Sequence, residues 1–347
     1  DKMVTLLIDG ERIAVPAGTT VLEAAQAVGS YIPTLCYHPD LSTFGGCRVC
    51  MVDVNGKFVE ACRTRVEGGE VVITDSPALM DLRRSLVEMV LINHNQDCQT
   101  CVRNNDCVLQ EVTAYAGVTK ERMARLRRDT SKIPTDTSNP FFDFDYTRCV
   151  LCGICVRTCR EINGSGAIDF ANRSNDTRIS PLGGWPSVES ICESCGECME
   201  RCPTGALSRK NSQVPAREVK TICPYCGTGC GLYLGVRGNK IVAARGDREN
   251  PVNRGQLCVK GRFGHDFVGH PDRLKTPLIK KEGKFVEASW DEALTLIVDK
   301  IKEAQGRYGP EALGGLSSTR IANEDNYLFQ KLLRSLGTNS IDCSARL

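Results

Sequence analysis

Twenty of the 347 residues are cysteine, and nineteen of them fall into five groups at ligand-like spacing. The groups are Cys36, Cys47, Cys50 and Cys62; Cys98, Cys101 and Cys107; Cys149, Cys152, Cys155 and Cys159; Cys192, Cys195, Cys198 and Cys202; and Cys223, Cys226, Cys230 and Cys258. Only Cys343 is left over. Disulfide frameworks belong to short secreted chains. This chain is long, and its start, Asp1-Lys2-Met3-Val4, carries no signal-peptide or twin-arginine pattern. The grouping therefore points to metal, and the expected location is the cytoplasm.

Cys149-x2-Cys152-x2-Cys155-x3-Cys159 puts four thiolates into eleven residues, and the same frame recurs 43 residues later at Cys192, Cys195, Cys198 and Cys202. Zinc sites usually take pairs of cysteines from two separated knuckles. A compact run of this spacing, duplicated, is the pattern of a two-cluster ferredoxin, in which the fourth cysteine of each run ligates the other cluster. Cys149, Cys152, Cys155 and Cys202 are then expected to hold one [4Fe–4S] cluster, and Cys192, Cys195, Cys198 and Cys159 the second. Pro203 follows the second run as the motif expects, whereas Arg160 stands where the first run would have proline.

The other groups read less directly. Cys36-x10-Cys47-x2-Cys50-x11-Cys62 is close to the plant-type [2Fe–2S] spacing with a lengthened first interval, and Gly45-Gly46 lets backbone amides approach sulfur; a β domain with four buried cysteines is the plain alternative. Cys98, Cys101 and Cys107 are one ligand short of a cubane, and His94 stands at the spacing to supply it. Cys223, Cys226, Cys230 and Cys258 lie in a Gly-rich stretch suited to tight turns around a cluster, with a zinc knuckle as the competing reading.

Between the cysteines the chain reads as a multidomain α+β protein. Val4–Ile8 and Arg12–Val15 form a hairpin about Asp9-Gly10, and Thr20 and Glu23 make a capping box for a helix to about Val28. Met51–Val54 and Val71–Ile73 are strand-like, which completes a β-grasp [2Fe–2S] domain over residues 1–78. A helical His/Cys domain follows over 79–137, with Arg122–Arg128 as a solvated or docking helix face, and then the two-cluster ferredoxin over 138–212. A [4Fe–4S] domain occupies 217–274. The last stretch, 275–347, opens with a capping box at Ser289 and Glu292 and reads as the beginning of an α/β domain. Lys and Arg total 44 against 42 Asp and Glu, a net +2 that offers no field for nucleic acid. No apolar run approaches the roughly 18 residues of a membrane span.

The order of these motifs resembles three cluster-bearing families: the large iron–sulfur subunit of complex I, the [FeFe]-hydrogenases, and the catalytic subunits of cytoplasmic formate dehydrogenases. CPYCGTGC (Cys223–Cys230) and LCVKGRFG (Leu257–Gly264) are similar to the cluster-binding start of Mo- or W-bis-pterin oxidoreductases. That favours a formate dehydrogenase over an [FeFe]-hydrogenase, and the duplicated frame at 149–202 favours it over the complex I subunit. The resemblance implies one [2Fe–2S] and four [4Fe–4S] clusters, and a Mo- or W-bis-molybdopterin guanine dinucleotide in the full-length enzyme. It places Lys260 between the nearest cluster and a pterin. It implies formate oxidation or CO2 reduction, with electrons passed to a flavin- and NAD(P)H-binding subunit or to hydrogenase subunits; a non-catalytic complex I-like electron-transfer subunit, or one from an NAD(P)-linked hydrogenase, is the alternative. It also implies a catalytic selenocysteine or cysteine directly after Leu347, with UGA as the expected codon. Cys343 would then be a small buried cysteine, and these 347 residues alone would be inactive on formate.

Overall fold

The structure, a computed structural model, describes residues 2–130, 132–181, 190–343 and 345. It divides into two units, Asp1–Asn211 and Ser212–Leu347.

The first unit opens with β1 (Met3–Ile8) and β2 (Glu11–Pro16), an antiparallel hairpin. Its turn residues, Asp9 and Gly10, both have positive φ (51° and 89°), the combination that matches the twist of a two-residue hairpin. α1 (Val21–Ala27) starts at a reciprocal capping box, Thr20 Oγ1 accepting from the Glu23 amide while the Glu23 carboxylate accepts from the Thr20 amide. β3 (Met51–Val54) and β4 (Lys57–Glu60) form a second hairpin about Asn55-Gly56. β5 (Val71–Ile73) then joins β1 in parallel and β3 in antiparallel register, giving the order β2-β1-β5-β3-β4. Val21, Leu22, Ala24 and Ala25 of α1 pack with Leu6, Ile8, Val52 and Val72 of the sheet, and Cys50 and Cys62 belong to the same core.

α2 (Pro77–Leu91) starts on Ser76, with Pro77 at the first turn where its missing N–H costs nothing. Arg83 of α2 is fully buried and donates to the Tyr115 hydroxyl (3.0 Å) and the Met51 carbonyl (2.7 Å), tying three segments together. α3 (Val108–Tyr115) and α4 (Lys120–Leu126) complete this part. The basic stretch lies at the surface as expected: Arg122, Arg125, Arg127 and Arg128 are exposed. The helix ends at Leu126, Met123 is buried, and Arg122 pairs with the buried Glu88 at 2.6 Å.

The duplicated frame is visible in the backbone. β6 (Phe142–Phe144) pairs with a later strand, and α5 (Ile154–Arg157) is followed by a wider turn over Thr158–Ile162. β7 (Ile168–Ala171) and β8 (Arg178–Pro181) pair antiparallel; α6 (Glu197–Glu200) and β9 (Leu207–Arg209), the partner of β6, close the unit. Leu151 and Ser194 share φ 53°, Gly153 and Gly196 are both left-handed at 68° and 76°, and α5 and α6 each begin on the next residue. Each of these pairs is 43 residues apart, the interval of the cysteine repeat.

The second unit begins with an antiparallel meander, β10 (Arg217–Ile222), β11 (Gly231–Arg237) and β12 (Lys240–Gly246), followed by the short α7 (Val259–Phe263). A hairpin of β13 (Leu278–Lys281) and β14 (Lys284–Glu287) leads to α8 (Trp290–Tyr308), which carries the expected Ser289/Glu292 capping box. β15 (Gly315–Ser317), α9 (Asn323–Ser335) and β16 (Ile341–Cys343) form a βαβ unit with β15 and β16 parallel. Cys343 is only partly buried on β16, not the buried residue expected, because a two-stranded sheet has no second neighbour to cover it. Ser344, Arg346 and Leu347, to which the selenocysteine expectation attaches, lie outside the described residues.

Candidate metal centres

The long loop between α1 and β3 delivers Cys36, Cys47 and Cys50, and the end of β4 delivers Cys62. Cys36, Cys50 and Cys62 are buried to within 2%. Their thiols lie in pairs. The hydrogen bond from Cys47 brings Cys36 down to about 6 against the opposing effect of burial, with help from the amides of Cys47 and Gly46 and from the Arg157 guanidinium. Its partner Cys47 is pushed up, as is Cys50 beside Cys62. Gly45 has φ 69° and Arg48 φ 55°, the turns that aim those amides at sulfur.

His94, Cys98, Cys101 and Cys107 line one cavity of about 280 Å³ between α2, α3 and α4. His94 is 8% exposed, and its Nδ1 has no hydrogen-bond partner among the described residues. Burial, with the Arg148 charge nearby, pulls it down to about 4, so the imidazole is neutral. A neutral ring with a bare nitrogen beside three thiols is the chemistry of a ligand.

Two further cavities are lined by the crossed quartets. Cys149, Cys152, Cys155 and Cys202 share one with Phe144, Ile179 and Leu207; Cys159, Cys192, Cys195 and Cys198 share the other with Phe142 and Ile168. Burial pushes Cys149 up to about 12 and raises Cys152, Cys155 and Cys198. Thiols so desolvated ionise only where a metal centre compensates the charge. Amides already point at sulfur: Leu151 donates to Cys149 (3.4 Å) and Ala167 to Cys159 (3.2 Å). Among the described residues no three His, Cys, Asp or Glu converge closely enough to hold a single ion.

The Cys149 quartet adjoins the other centres of its unit. The Cys36 charge acts on Cys152, and that of Cys198 on Cys155. Pro203, Thr204 and Ala206 line its cavity, while Gly205 faces the His94 cavity. A Cβ on Gly205 would stand 2.5 Å from Cys101 Sγ, so only glycine fits that shared wall. Neither Gly205 nor the buried arginines Arg157 and Arg201 is marked out in the sequence beyond lying close to a ligand cysteine.

In the second unit the Cys223 amide donates to the Cys230 carbonyl (2.8 Å) across the base of β10 and β11. Cys223 packs with Leu232 and Leu257, while Cys258 stands exposed at the start of α7. A Cβ on Gly261 would meet Cys223 Sγ at 3.5 Å, which brings α7 against the group. The Thr228 hydroxyl and amide lower Cys226, and the exposed Lys260 acts on both Cys226 and Cys223 in the same direction.

Family models match the chain in series: a 2Fe-2S iron–sulfur cluster binding domain at 1–77, the NADH-ubiquinone oxidoreductase-G iron–sulfur binding region at 83–122, and a 4Fe-4S dicluster domain at 148–206. A molybdopterin oxidoreductase Fe4S4 domain follows at 216–270, and a molybdopterin oxidoreductase domain at 273–347. A subunit of an NADH-quinone oxidoreductase from Rhizobium meliloti is 38% identical over 99% of the chain, and so is the alpha subunit of an NADPH-Fe(3+) oxidoreductase from Geobacter sulfurreducens. Over that length the chain is similar to both subunits. Relatives with formate dehydrogenase in their names are more distant, for example YrhE of Bacillus subtilis at 30% identity. The chain spans about 40% of the length of these relatives. Among solved structures, a chain of an NAD+-reducing [NiFe]-hydrogenase is 31% identical, with TM-score 0.53, over 62% of this chain and 90% of that one. The matched models thus include both 2Fe-2S and 4Fe-4S cluster domains and part of a molybdopterin oxidoreductase domain. No helix among the described residues is long and apolar enough to cross a membrane.

Proposed function

We propose that the chain is the electron relay of a bis-pterin formate dehydrogenase, holding five clusters. The observation that carries the relay is the crossed pair of cysteine quartets, each lining its own cavity and adjoining one another at Cys155 and Cys198. Cys36, Cys47, Cys50 and Cys62 would hold a [2Fe–2S] cluster; His94 with Cys98, Cys101 and Cys107 a [4Fe–4S] cluster; the two crossed quartets one each; and Cys223, Cys226, Cys230 and Cys258 the fifth. When bound, such clusters supply one-electron carriers, which is what splitting a two-electron oxidation into single steps requires.

The residues around the cysteines do the tuning. Amides of Gly46, Cys47, Leu151 and Ala167 point at sulfur and favour the charged, reduced form. Apolar neighbours such as Phe144, Ile179 and Leu207 keep water from the middle quartet. Lys260, whose charge acts on Cys223 and Cys226, would hydrogen-bond a pterin and offset an arriving electron. Formate would be the substrate of the complete enzyme, and a flavin- and NAD(P)H-binding or hydrogenase subunit its electron partner.

A second reading is favoured by the 38% identity to NADH-quinone and NADPH-Fe(3+) oxidoreductase subunits: a relay for nicotinamide electrons without formate chemistry. Anaerobic iron and sulfide analysis tests the relay, with about 18 iron atoms expected per chain for this cluster set; fewer than about four clusters' worth would overturn it. Dye reduction by the full-length native complex separates the two readings. Formate-dependent reduction supports the first, and NAD(P)H-dependent reduction with no response to formate supports the second.

A further inference from the structure

Arg157 ends α5, two residues beyond Cys155, and Cys159 lies two residues further on in the wider turn that follows. The arginine side chain points to neither. Arg157 is 8% exposed, and its guanidinium donates to the Cys36 carbonyl at 2.5 Å and to the Ser42 carbonyl, both in the loop of the first cysteine group. The Phe44 ring of that loop lies 5.6 Å from the guanidinium carbon and stacks on Phe170 of β7. Glu161, one turn on, accepts from the Ser42 amide (2.7 Å) and hydroxyl (2.5 Å), and its charge faces Arg157 from the solvent side. Nearby Arg201 also reaches this loop, at Asp40, but its charge is already met by Asp40 and by the buried Glu197. Arg157 donates to neutral carbonyls instead, and with Glu161 facing it from the solvent side its charge is only partly offset beside Cys36.

We propose that Arg157 is a redox-positioning residue. It pins the loop of the Cys36 group to the two-cluster module and sets a positive charge beside that centre, raising its reduction potential above what the four thiolates alone would give. The inference rests on the reading of Cys36, Cys47, Cys50 and Cys62 as a [2Fe–2S] site. A cluster that accepts an electron becomes more negative, and a fixed cation in a poorly solvated position stabilises that state. Because the guanidinium fork spans two carbonyls, the same group fixes both charge and spacing, which a lysine ammonium cannot do. Arg157 thereby sets the potential of the Cys36 centre relative to that of the Cys149 quartet, its neighbour in the unit.

The test is an EPR-monitored redox titration of the anaerobically purified native complex carrying Arg157→Gln, Arg157→Lys or Glu161→Gln. Iron content and the signals of the other clusters report whether assembly is intact. The expected result is a lowered midpoint potential of the [2Fe–2S] signal in Arg157→Gln, a smaller shift of the same sign in Arg157→Lys, and a small upward shift in Glu161→Gln, with the cubane potentials unmoved. If Arg157→Gln fails to assemble, the opposite signs expected of Arg157→Lys and Glu161→Gln carry the test. An unchanged [2Fe–2S] potential in an intact Arg157→Gln complex overturns the proposal. So do equal shifts in the Gln and Lys variants, or a shift shared by every cluster. A wild-type complex with all its cubane signals and no [2Fe–2S] signal would instead remove the site reading on which the proposal rests, and the proposal with it.

Discussion

At His94 the decisive features are burial and a bare nitrogen. The ring is neutral, and its Nδ1 finds no hydrogen-bond partner among the described residues while Cys98, Cys101 and Cys107 share its cavity. His94→Ala should therefore lose one cubane, about four of the roughly 18 iron atoms, with the remaining EPR signals unchanged. His94→Cys should keep the cubane at a lower potential, because thiolate brings a charge that imidazole lacks. An alanine variant with its full iron content and every signal intact would show that His94 does not ligate. Gly205 gives a steric counterpart. A methyl there would press on Cys101 Sγ, so Gly205→Ala should make the same cluster several-fold more labile to air, followed as the rate of loss of its EPR signal. Equal lability of all clusters would argue against that placement.

At the scale of elements, the crossing of the two cysteine runs makes an unusual prediction. Cys202 follows α6, whose own helix carries Cys198, yet it lines the cavity of Cys149, Cys152 and Cys155. Cys202→Ser should thus disturb the cluster of the first run, and Cys159→Ser that of the second; each variant purified anaerobically and examined by EPR should lose the signal opposite to its place in sequence. Losses that follow sequence order would refute the crossing. A milder change, Thr20→Ala at the start of α1, removes a reciprocal cap and should cost about 1 kcal/mol in denaturant unfolding. What was legible in the sequence follows the same lines. The 43-residue repeat shows in the cysteines and returns as paired left-handed residues and paired helix starts, because turns around a cluster demand both. Asp9-Gly10 and Ser289/Glu292 announce a hairpin and a helix through local chemistry alone. The meander β10-β11-β12 was not legible, since Gly231 and Gly235 interrupt the alternation that marks a strand. Nor was β4, whose sequence Lys57-Phe58-Val59-Glu60 does not alternate apolar with polar residues. The burial of Arg83 and Arg157 could not be read at all. It depends on carbonyls at Met51 and Cys36, brought in from distant parts of the chain.

At the scale of the whole molecule, the parts of the first unit differ in what holds them. The β-grasp part has an apolar core of its own, in which Leu6, Ile8, Val21, Leu22, Val52 and Val72 meet across a helix and a five-stranded sheet. The two-cluster part is built from strands of three or four residues and two four-residue helices. Its buried Phe142, Phe144, Ile168, Ile179 and Leu207 line cysteine-ringed cavities instead of packing into one layer. Elements that short are not stable by propensity, so on the proposed ligation metal–ligand bonding would supply folding energy directly. Removing iron with a chelator under anaerobic conditions should therefore open the two parts unequally. By hydrogen exchange, amides of α5, α6, β6 and β9 should lose protection as iron leaves, while those of β1, β3, β5 and α1 stay protected, because their core consists of side chains and not of metal. Retained protection across α5 and α6 in a chain verified to be iron-free would show that the apolar residues there suffice without clusters. Simultaneous loss across both parts would show that the β-grasp core depends on the same metal.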